Sequence, residues 1–198
     1  RFKDQIVPIE IKRRKNTIIF DQDEHPKETS IDTLSKLPTV FKKEGTVTAG
    51  NSSGINDGAA ALILATKEAI SGKKLNPIAK ILGYAQTGVR PEIMGVGPIS
   101  AVKKLCQKLK LDIDDFDIIE SNEAFAAQAC AVSKVLNLDP QKVNPNGGAI
   151  ALGHPVGATG AILTIKILSE LERTNAKLGL VTMCIGGGQG IAIAIQMV

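Results

Sequence analysis

The chain has 198 residues, of which 43% are hydrophobic and 22% are charged, values typical of a soluble globular protein. Its 24 basic and 20 acidic side chains leave a net charge of +4, and aromatic residues are only 3%, so we expect no nucleic-acid partner. No apolar run reaches the roughly 18 residues that span a bilayer, so we expect no membrane partner either.

The first part of the chain, residues 1–45, predicts a small β-rich appendage. The elements expected in order are strands at 6–12 and 16–20, a polar loop at 21–27, and a helix from Ser30 to Leu37. The dense cationic run at residues 12–15 fits either a solvated hairpin tip or an anion-facing patch for a phosphorylated ligand.

From residue 46 onward the pattern becomes α/β. The elements expected in order are strand 59–66, a short helix to Gly72, strand 78–89, helix 99–110, strand 116–120, helix 122–138, a glycine-rich segment at 144–160, a helix to Arg173, and strands 178–185 and 190–197. Strands that alternate with helices predict a layered sheet covered by helices. The last two strands, joined through glycines, are expected to be antiparallel.

The three cysteines do not form a disulfide framework, because their number is odd and their spacing is irregular. Cys106 and Cys130 lie within apolar helical runs, so both are expected to pack in the core. With only two histidines there is no zinc ligand set, and we expect no metal site. Free thiols favour a reducing compartment.

A strand-to-helix junction at residues 121–125 places Asn122 and Glu123 where open α/β sheets bind ligands. Asn122 is either the cap of the following helix or a catalytic polar group, and capping is the commoner role for an isolated Asn. Glu123 fits an acid in the first turn of that helix, where it favours the helix dipole.

The glycine-rich segment at 144–160 permits a close approach of backbone to a ligand and ends at a helix start, where free N–H groups favour negative charge. It lacks the Gly-Lys-Ser/Thr ending of a phosphate-binding loop, so we expect no nucleoside triphosphate. His154 lies between Gly153 and Pro155 and therefore has a restricted backbone. Structural and catalytic roles for His154 are equally open.

Cys184 ends an apolar strand and is followed by three glycines at 186–188. This arrangement places a thiol beside exposed backbone N–H donors, which an oxyanion hole requires. A structural thiol before a glycine turn is the alternative. A Cys and a His brought together in the fold serve acyl-transfer chemistry.

Together these segments resemble the thiolase family, and most closely the biosynthetic acetyl-CoA acetyltransferases. The matching blocks are residues 122–125 (NEAF), 147–155 (GGAIALGHP) and 184–188 (CIGGG), with residues 47–61 (VTAGNSSGINDGAAA) similar to a segment that contributes to coenzyme A binding. The separations, 32 residues from Asn122 to His154 and 30 from His154 to Cys184, are also similar to those of the family.

The resemblance implies roles for four catalytic groups. Cys184 is implied to be the acid/base that removes the α-proton of an acyl-CoA, and His154 to activate a nucleophilic thiol and donate to the thioester oxygen. Asn122 is implied to hold a water that completes this oxyanion hole, and the Gly186 amide to belong to a second one. Coenzyme A thioesters are the implied substrates, with no separate cofactor. The implied coenzyme A contacts are Phe41, Ala49, Ser53, Met94 and Phe125.

The resemblance also implies a layered α/β thiolase-like fold, with one mixed-sheet core half, covering helices and part of a loop domain. Residues 1–50 are expected to end the loop domain, residues 51–75 to belong to the N-terminal core half, and residues 76–198 to form the C-terminal core domain. The family's nucleophilic cysteine belongs to the N-terminal half, and no cysteine of this chain has its context. We therefore expect the missing half as a partner, a homodimer or homotetramer, and an isolated chain without activity.

The expected reaction is the reversible Claisen condensation of two acetyl-CoA to acetoacetyl-CoA and CoA. The alternatives are a degradative 3-ketoacyl-CoA thiolase and a non-catalytic acyl-CoA-binding module. A ketosynthase relative fits less well, because those enzymes have a second His where this chain has Cys184. The chain ends in Gln-Met-Val and not in the peroxisomal Ser-Lys-Leu signal, so we expect a cytoplasmic protein, with a mitochondrial location left open.

Overall fold

A four-stranded mixed sheet and a separate two-stranded hairpin form the strand layers of the computed structural model, which describes residues 1–198. The strands are β1 (Ile9–Lys12), β2 (Thr17–Phe20), β3 (Ala79–Gly88), β4 (Ile118–Ser121), β5 (Leu178–Ile185) and β6 (Gln189–Met197). The helices are α1 (Ile31–Ser35), α2 (Lys67–Lys73), α3 (Gly97–Leu109), α4 (Ala126–Leu136), α5 (Ala149–Leu152) and α6 (Thr159–Thr174). Two 3₁₀ turns, Pro91–Val96 and Ile113–Asp115, precede α3 and β4. None of the helices is both long and apolar enough to cross a bilayer.

The larger sheet has the strand order β3-β6-β5-β4. β4 and β5 are parallel, whereas β6 is antiparallel to both of its neighbours, so the predicted antiparallel pair at the end of the chain is confirmed. The turn between β5 and β6 contains Gly187 and Gly188 at φ values of 84° and 92°, a backbone conformation that favours glycine. Because parallel strands end at the same edge of a sheet, the residues that follow β4 and β5 lie close together.

Helices cover both faces of this sheet, as the layered prediction requires. α3 and α4 pack on one face, where Leu105, Val132 and Leu180 belong to one buried cluster. α6 packs on the other face, where Ile167 and Val181 belong to a second cluster. Leu180 and Val181 are neighbours in β5 that point to opposite faces. Each such buried side chain contributes about 1.5–3 kcal/mol to the stability of the fold.

The N-terminal hairpin and α1 agree with the sequence prediction. The Arg13 N–H donates to the Asn16 carbonyl at 2.8 Å and closes the turn between β1 and β2. The cationic run at 12–15 lies at this tip and is exposed. Ser30 caps α1 by accepting the Thr33 N–H at 3.2 Å. The solvated hairpin tip is therefore observed, and a bound anion there stays a prediction.

The predicted strand at 59–66 is wrong for this structure. Residues 59–66 form no ladder with any other part of the chain, and the side chains of Ile63 and Leu64 are 97% and 76% exposed. A strand needs a neighbour to satisfy its backbone donors and acceptors. An apolar run in the sequence does not show whether that neighbour lies in the same chain.

The predicted helix at 122–138 begins later than expected, at Ala126. The segment before it is extended because it pairs with residues 51–53: the Ala126 N–H donates to the Asn51 carbonyl at 2.8 Å, and the Ser53 N–H donates to the Ala124 carbonyl at 3.0 Å. Asn122 is therefore not the helix cap, and the capping alternative is wrong. The α4 cap position has no side-chain hydrogen bond.

The predicted core position of Cys130 is also wrong, because its side chain is exposed. The buried residues of α4 are Gln128, Val132 and Leu136, which recur every four residues along one side of the helix. Cys130 lies between them in sequence and so points to the other side. Cys106 is half-buried and packs against the first cluster, as predicted.

Candidate active site

The carboxyl edge of the parallel pair β4–β5 gathers the predicted polar residues. Ser121 in β4 is paired with Thr182 in β5, and the next residue, Asn122, donates its backbone N–H to the Thr182 carbonyl at 3.0 Å. Cys184 lies two residues beyond Thr182 on the same face of β5. Asn122 and Cys184 therefore share one edge of the sheet.

Asn144 fastens the glycine-rich segment to the same edge. Its side-chain oxygen accepts the Ser121 N–H at 2.9 Å, and its amide nitrogen donates to the Ser121 carbonyl at 2.8 Å. One residue earlier, Val143 forms an isolated parallel bridge with Ile119. The glycine-rich segment thus begins as a short extension of the sheet, which carries the residues after it over the end of β4.

Asn122 and His154 are in direct contact, 32 residues apart in sequence. The Asn122 Nδ2 atom lies 3.3 Å from His154 Nε2. The Asn122 side chain is almost completely buried, and its Oδ1 atom has no hydrogen-bond partner. An unsatisfied buried amide oxygen costs about 1–3 kcal/mol, which a water or a ligand donor at this position would recover.

The contacts of His154 define its tautomer. Thr159 donates its hydroxyl proton to the Pro155 carbonyl at 2.9 Å, so its oxygen accepts the His154 Nδ1–H, at 2.6 Å. The neutral ring then has a free lone pair on Nε2, which accepts the Asn122 amide N–H. Burial lowers the pKa of His154 below its usual value, because it disfavours the imidazolium.

Asn56 fixes the backbone of His154. Its Oδ1 atom accepts the His154 N–H at 3.0 Å, and Ile55 forms an isolated parallel bridge with His154. Gly153 has φ of 96°, and a Cβ there would lie 2.6 Å from Asn56 Oδ1. Both the backbone angle and the close approach of Asn56 therefore require glycine before the histidine.

Cys184 is buried at the end of β5, and burial raises the pKa of its thiol, because it disfavours the thiolate. No hydrogen bond joins the thiol to His154 or Asn122 in this structure. Gly186, two residues later, is exposed, and its N–H has no acceptor in the chain. The turn itself is tied down by the Val89 N–H, which donates to the Gly188 carbonyl at 2.7 Å.

The five predicted coenzyme A contacts are only partly brought together. Phe41 and Phe125 stack edge to face with ring centroids 6.0 Å apart, and the Ser53 N–H binds the carbonyl of the residue before Phe125. Met94 is half-buried in the first 3₁₀ turn, whose Gly95 lies against α4. Ala49 is exposed in the turn that precedes residues 51–53. Phe41, at 73% exposure, leaves an accessible apolar face beside Phe125.

The acidic residues around this edge have structural contacts. The prediction that Glu123 lies in the first turn of α4 is wrong. Its carboxylate instead accepts the Ile150 N–H at 3.3 Å, at the start of α5. Glu120 is fully buried and forms an ion pair of 2.7 Å with Lys166, which also donates to the Gly147 carbonyl at 2.8 Å. No group of three or more His, Cys, Asp or Glu side chains is placed to hold a metal ion.

Comparison with models of known protein families shows which family this chain belongs to. The family model described as thiolase, C-terminal domain, matches residues 75–197, and the model described as thiolase, N-terminal domain, matches residues 1–68. The chain belongs to the thiolase family. Its mixed sheet with helices on both faces is accordingly the thiolase fold.

Individual thiolases of several named activities are similar to the chain. The beta-ketothiolase BktB of Cupriavidus necator is 53% identical over 100% of this chain and 50% of its own length. The crystal structure of the Bacillus anthracis acetyl-CoA acetyltransferase has a TM-score of 0.96 and 47% identity, covering 100% of this chain and 50% of that one. That of human mitochondrial 3-ketoacyl-CoA thiolase has a TM-score of 0.89 and 46% identity over 96% and 49%. The chain spans about half the length of these relatives.

Three residues of this candidate site were not predicted from the sequence, although two of them lie in segments that the sequence patterns singled out. Thr159 and Asn56 are in the glycine-rich and 47–61 segments, where only the glycines and the histidine drew notice. A hydroxyl five residues after the glycine-flanked His154 is the signal that was available for Thr159, whereas Asn56 lies 98 residues before His154 and gave no local signal. His25, which contacts Asn56, gave no such signal, because it lies 129 residues before His154.

Proposed function

We propose that the complete protein containing this chain catalyses the reversible Claisen condensation of two acetyl-CoA to acetoacetyl-CoA and CoA. The observation that carries the proposal is the Asn122–His154 contact of 3.3 Å, with a buried and unpartnered Asn122 Oδ1, at the sheet edge that also holds Cys184. A buried polar pair at the sheet edge, with the Asn122 Oδ1 acceptor left open, fits a site for a reacting oxygen and a water.

Cys184 is the acid/base of this proposal. The α-proton of a thioester is a weak acid, so its removal requires a positioned base and a stabilised enolate oxygen. The raised pKa of Cys184 keeps it a thiol at neutral pH, ready to protonate a leaving thiolate. It then becomes the thiolate that removes the α-proton.

His154 and Asn122 form the first oxyanion hole. His154 Nε2 carries a lone pair in the resting state, so it accepts the proton of the nucleophilic thiol. With Nε2 protonated it donates to the thioester oxygen, alongside a water held by Asn122 Oδ1. Donors placed in this way contribute about 3–4 kcal/mol each to transition-state stabilisation.

The Gly186 N–H forms the second oxyanion hole in the proposal. It has no acceptor in the chain and lies two residues beyond the Cys184 thiol, so it is available to an enolate oxygen that forms beside Cys184. Coenzyme A thioesters are the substrates, and no separate cofactor is needed. The pantetheine and acyl portions pass the apolar surface that Phe41 and Phe125 begin, with Ala49, Ser53 and Met94 around it.

The nucleophilic cysteine comes from the partner of this chain, an N-terminal thiolase half. Cys106 is half-buried against the core and Cys130 is exposed on the outer side of α4, so neither adjoins His154. The domain division expected from sequence, 1–50, 51–75 and 76–198, is part of this proposal. So are a homodimeric or homotetrameric assembly and a cytoplasmic location.

Steady-state assays test the proposal with two preparations. The complete protein, with its N-terminal half, is expected to condense acetyl-CoA, and Cys184→Ala is expected to abolish the reaction. The isolated 198-residue chain is expected to show no turnover. Full thiolysis by the isolated chain would contradict the proposal that the nucleophilic cysteine lies in the N-terminal half. Unchanged kinetics of Cys184→Ala would favour a non-catalytic acyl-CoA-binding module.

A degradative thiolase for longer 3-ketoacyl-CoA substrates is the second candidate. Similarity to the human mitochondrial 3-ketoacyl-CoA thiolase, at 46% identity, favours it almost as much as the acetyltransferase similarity favours the first. Comparison of kcat/KM for acetoacetyl-CoA and for a long-chain 3-ketoacyl-CoA separates the two. A clear preference for the longer substrate would replace the first candidate with the second.

A further inference from the structure

A chain of hydrogen bonds runs from the N-terminal appendage to the backbone of His154. His25 Nε2 lies 3.1 Å from the Ile150 carbonyl oxygen, and His25 Nδ1 lies 3.3 Å from Asn56 Nδ2. Asn56 Oδ1 in turn accepts the His154 N–H at 3.0 Å. The three bonds connect side chains and backbone that are up to 129 residues apart in sequence.

The groups at the two ends of this series of hydrogen bonds determine which atom donates and which accepts in each bond between them. The His154 backbone N–H can only donate, so Asn56 presents its oxygen there and its NH₂ group to His25. An amide NH₂ can only donate, so His25 Nδ1 is unprotonated. The Ile150 carbonyl can only accept, so His25 Nε2 carries the proton. One neutral tautomer of His25 satisfies all three bonds.

We propose that His25 is a positioning residue for the reaction, which holds the backbone of His154 through Asn56 and does so only as the neutral Nε2–H tautomer. The proposal rests on the proposed function, since it assigns a part in the same site. His25 touches no reacting atom. It acts by keeping Asn56 in the one amide orientation that accepts the His154 N–H.

The packing around the His25 imidazole leaves little room for another orientation of the ring. A Cβ at Gly54 would collide with the His25 ring, so the imidazole lies directly against the backbone of the 51–56 segment. The ring is half-buried and is wedged between that segment and the Ile150 carbonyl. A rotation of His25 therefore breaks both of its hydrogen bonds at once.

Protonation of His25 disrupts this series of hydrogen bonds. An Nδ1–H would face the Asn56 NH₂ group, which is a contact of two donors, and a flip of the Asn56 amide would move the same conflict to the His154 N–H. No carboxylate lies within 4 Å of the His25 ring nitrogens to favour the cation. The titratable neighbours on the contacting elements are Glu24 and Lys27 beside His25, Asp57 beside Asn56, and Glu123 and His154 beside the Ile150 segment.

Two substitutions test the polarity argument in the complete protein. His25→Gln offers one N–H for Ile150 and one oxygen for Asn56, and it does not titrate, so kcat is expected to stay close to that of the unsubstituted protein. His25→Ala removes both bonds and is expected to lower kcat by about 10- to 100-fold with little change in KM, because His154 is displaced while the substrate surface is intact. Glu24→Gln, an exposed neighbour, is the control and is expected to change neither.

Asn56→Asp distinguishes positioning from simple structural support. An aspartate accepts both from the His154 N–H and from a protonated His25 Nδ1–H, so its contacts are complete only when His25 is charged. The activity of Asn56→Asp relative to the unsubstituted protein is therefore expected to rise as the pH falls.

The outcomes are separable from those of the proposed function. If the unsubstituted protein has no thiolase activity, the proposed function fails, and ¹⁵N NMR of the imidazole still reports whether His25 is the Nε2–H tautomer. If the protein is active but His25→Ala retains full kcat, or the Asn56→Asp ratio does not change with pH, the positioning role is overturned. An Nδ1–H tautomer of His25 would overturn it as well.

Discussion

Burial displaces the pKa values of His154 and Cys184, the two titratable side chains of the proposed active site, in opposite directions. It lowers the pKa of His154 and raises the pKa of Cys184, because in each case it disfavours the charged form. Both groups are therefore neutral near neutral pH. His154 is ready to accept a proton, and Cys184 is ready to give one, which is the pairing that acyl transfer through a thiol requires.

The pH profile of condensation by the complete protein follows from these directions. We expect kcat/KM to fall on the acid side only below the usual imidazole range near about 6.5, where His154 becomes protonated. We expect it to fall on the alkaline side as well, above the usual thiol range, where Cys184 ionises and can no longer protonate the leaving thiolate. Cys130→Ser, at an exposed position, is expected to leave both limbs in place. An alkaline limb that survives in Cys184→Ser would contradict the assignment.

Asn122 shows where sequence reasoning at single residues stops. The NEAF segment located the residue, but whether it caps a helix or faces the site depends on where α4 begins. That boundary is set by backbone bonds from residues 51–53, which lie 69 to 71 positions before Asn122. The His25–Asn56 contact was out of reach for the same reason, since neither residue has a local pattern that names its partner.

Across elements, the ion pair of Glu120 and Lys166 joins the end of β4 to the middle of α6. Burial raises the pKa of the Glu120 carboxyl, and the adjacent Lys166 opposes that shift. One carboxylate oxygen, Oε1, has no partner. Lys166 also holds the Gly147 carbonyl, so the pair connects β4, α6 and the glycine-rich segment.

Removing one member of this pair is expected to be costly. Lys166→Met leaves the Glu120 charge buried without a counter-ion, so urea denaturation at neutral pH should show a loss of about 3–5 kcal/mol in the free energy of unfolding. Glu120→Gln combined with Lys166→Met removes both charges and is expected to recover most of that loss. Lys134→Met on the exposed side of α4 is the control. A double variant as unstable as the single one would refute the argument.

At the level of elements, the sequence predicted whatever depends on local pattern. The β1–β2 hairpin, the Ser30 cap and the antiparallel β5–β6 pair were all predicted, since turn residues and apolar periodicity encode them. The stretch at 59–66 has the same apolar pattern but no strand partner within the chain. The sequence pattern indicates which segments are apolar enough to be buried, but it does not indicate which surface covers them.

For the whole molecule, the unpaired stretch at 59–66 is the largest departure from a self-contained fold. Ile63 and Ile55 are almost fully exposed, at 97% and 95%, and Leu64 is 76% exposed. The outer face of β3 is also open at Tyr84, which is 59% exposed. Such surface fits a chain that spans half the length of its relatives, and in our proposal the N-terminal half covers it.

The isolated chain is therefore expected to bind an apolar dye such as ANS, and the N-terminal half, added as a separate chain, is expected to suppress that binding. Replacing Ile63 and Leu64 together by serine should lower the dye fluorescence without changing the far-UV circular dichroism. Ile31→Ser, at a single exposed isoleucine in α1, serves as the control. Equal dye binding by the double variant would show that 59–66 is not the exposed surface that matters.

The order of strands in the larger sheet also governs when that sheet can form during synthesis on the ribosome. β3 has β6 as its only neighbour, and 100 residues separate the end of one from the start of the other. At about 5–20 residues per second, β3 waits roughly 5–20 s for its partner during synthesis. Throughout that interval the unpaired backbone N–H and C=O groups of β3 are open to other nascent chains, so folding yield should depend on chaperones that act during translation.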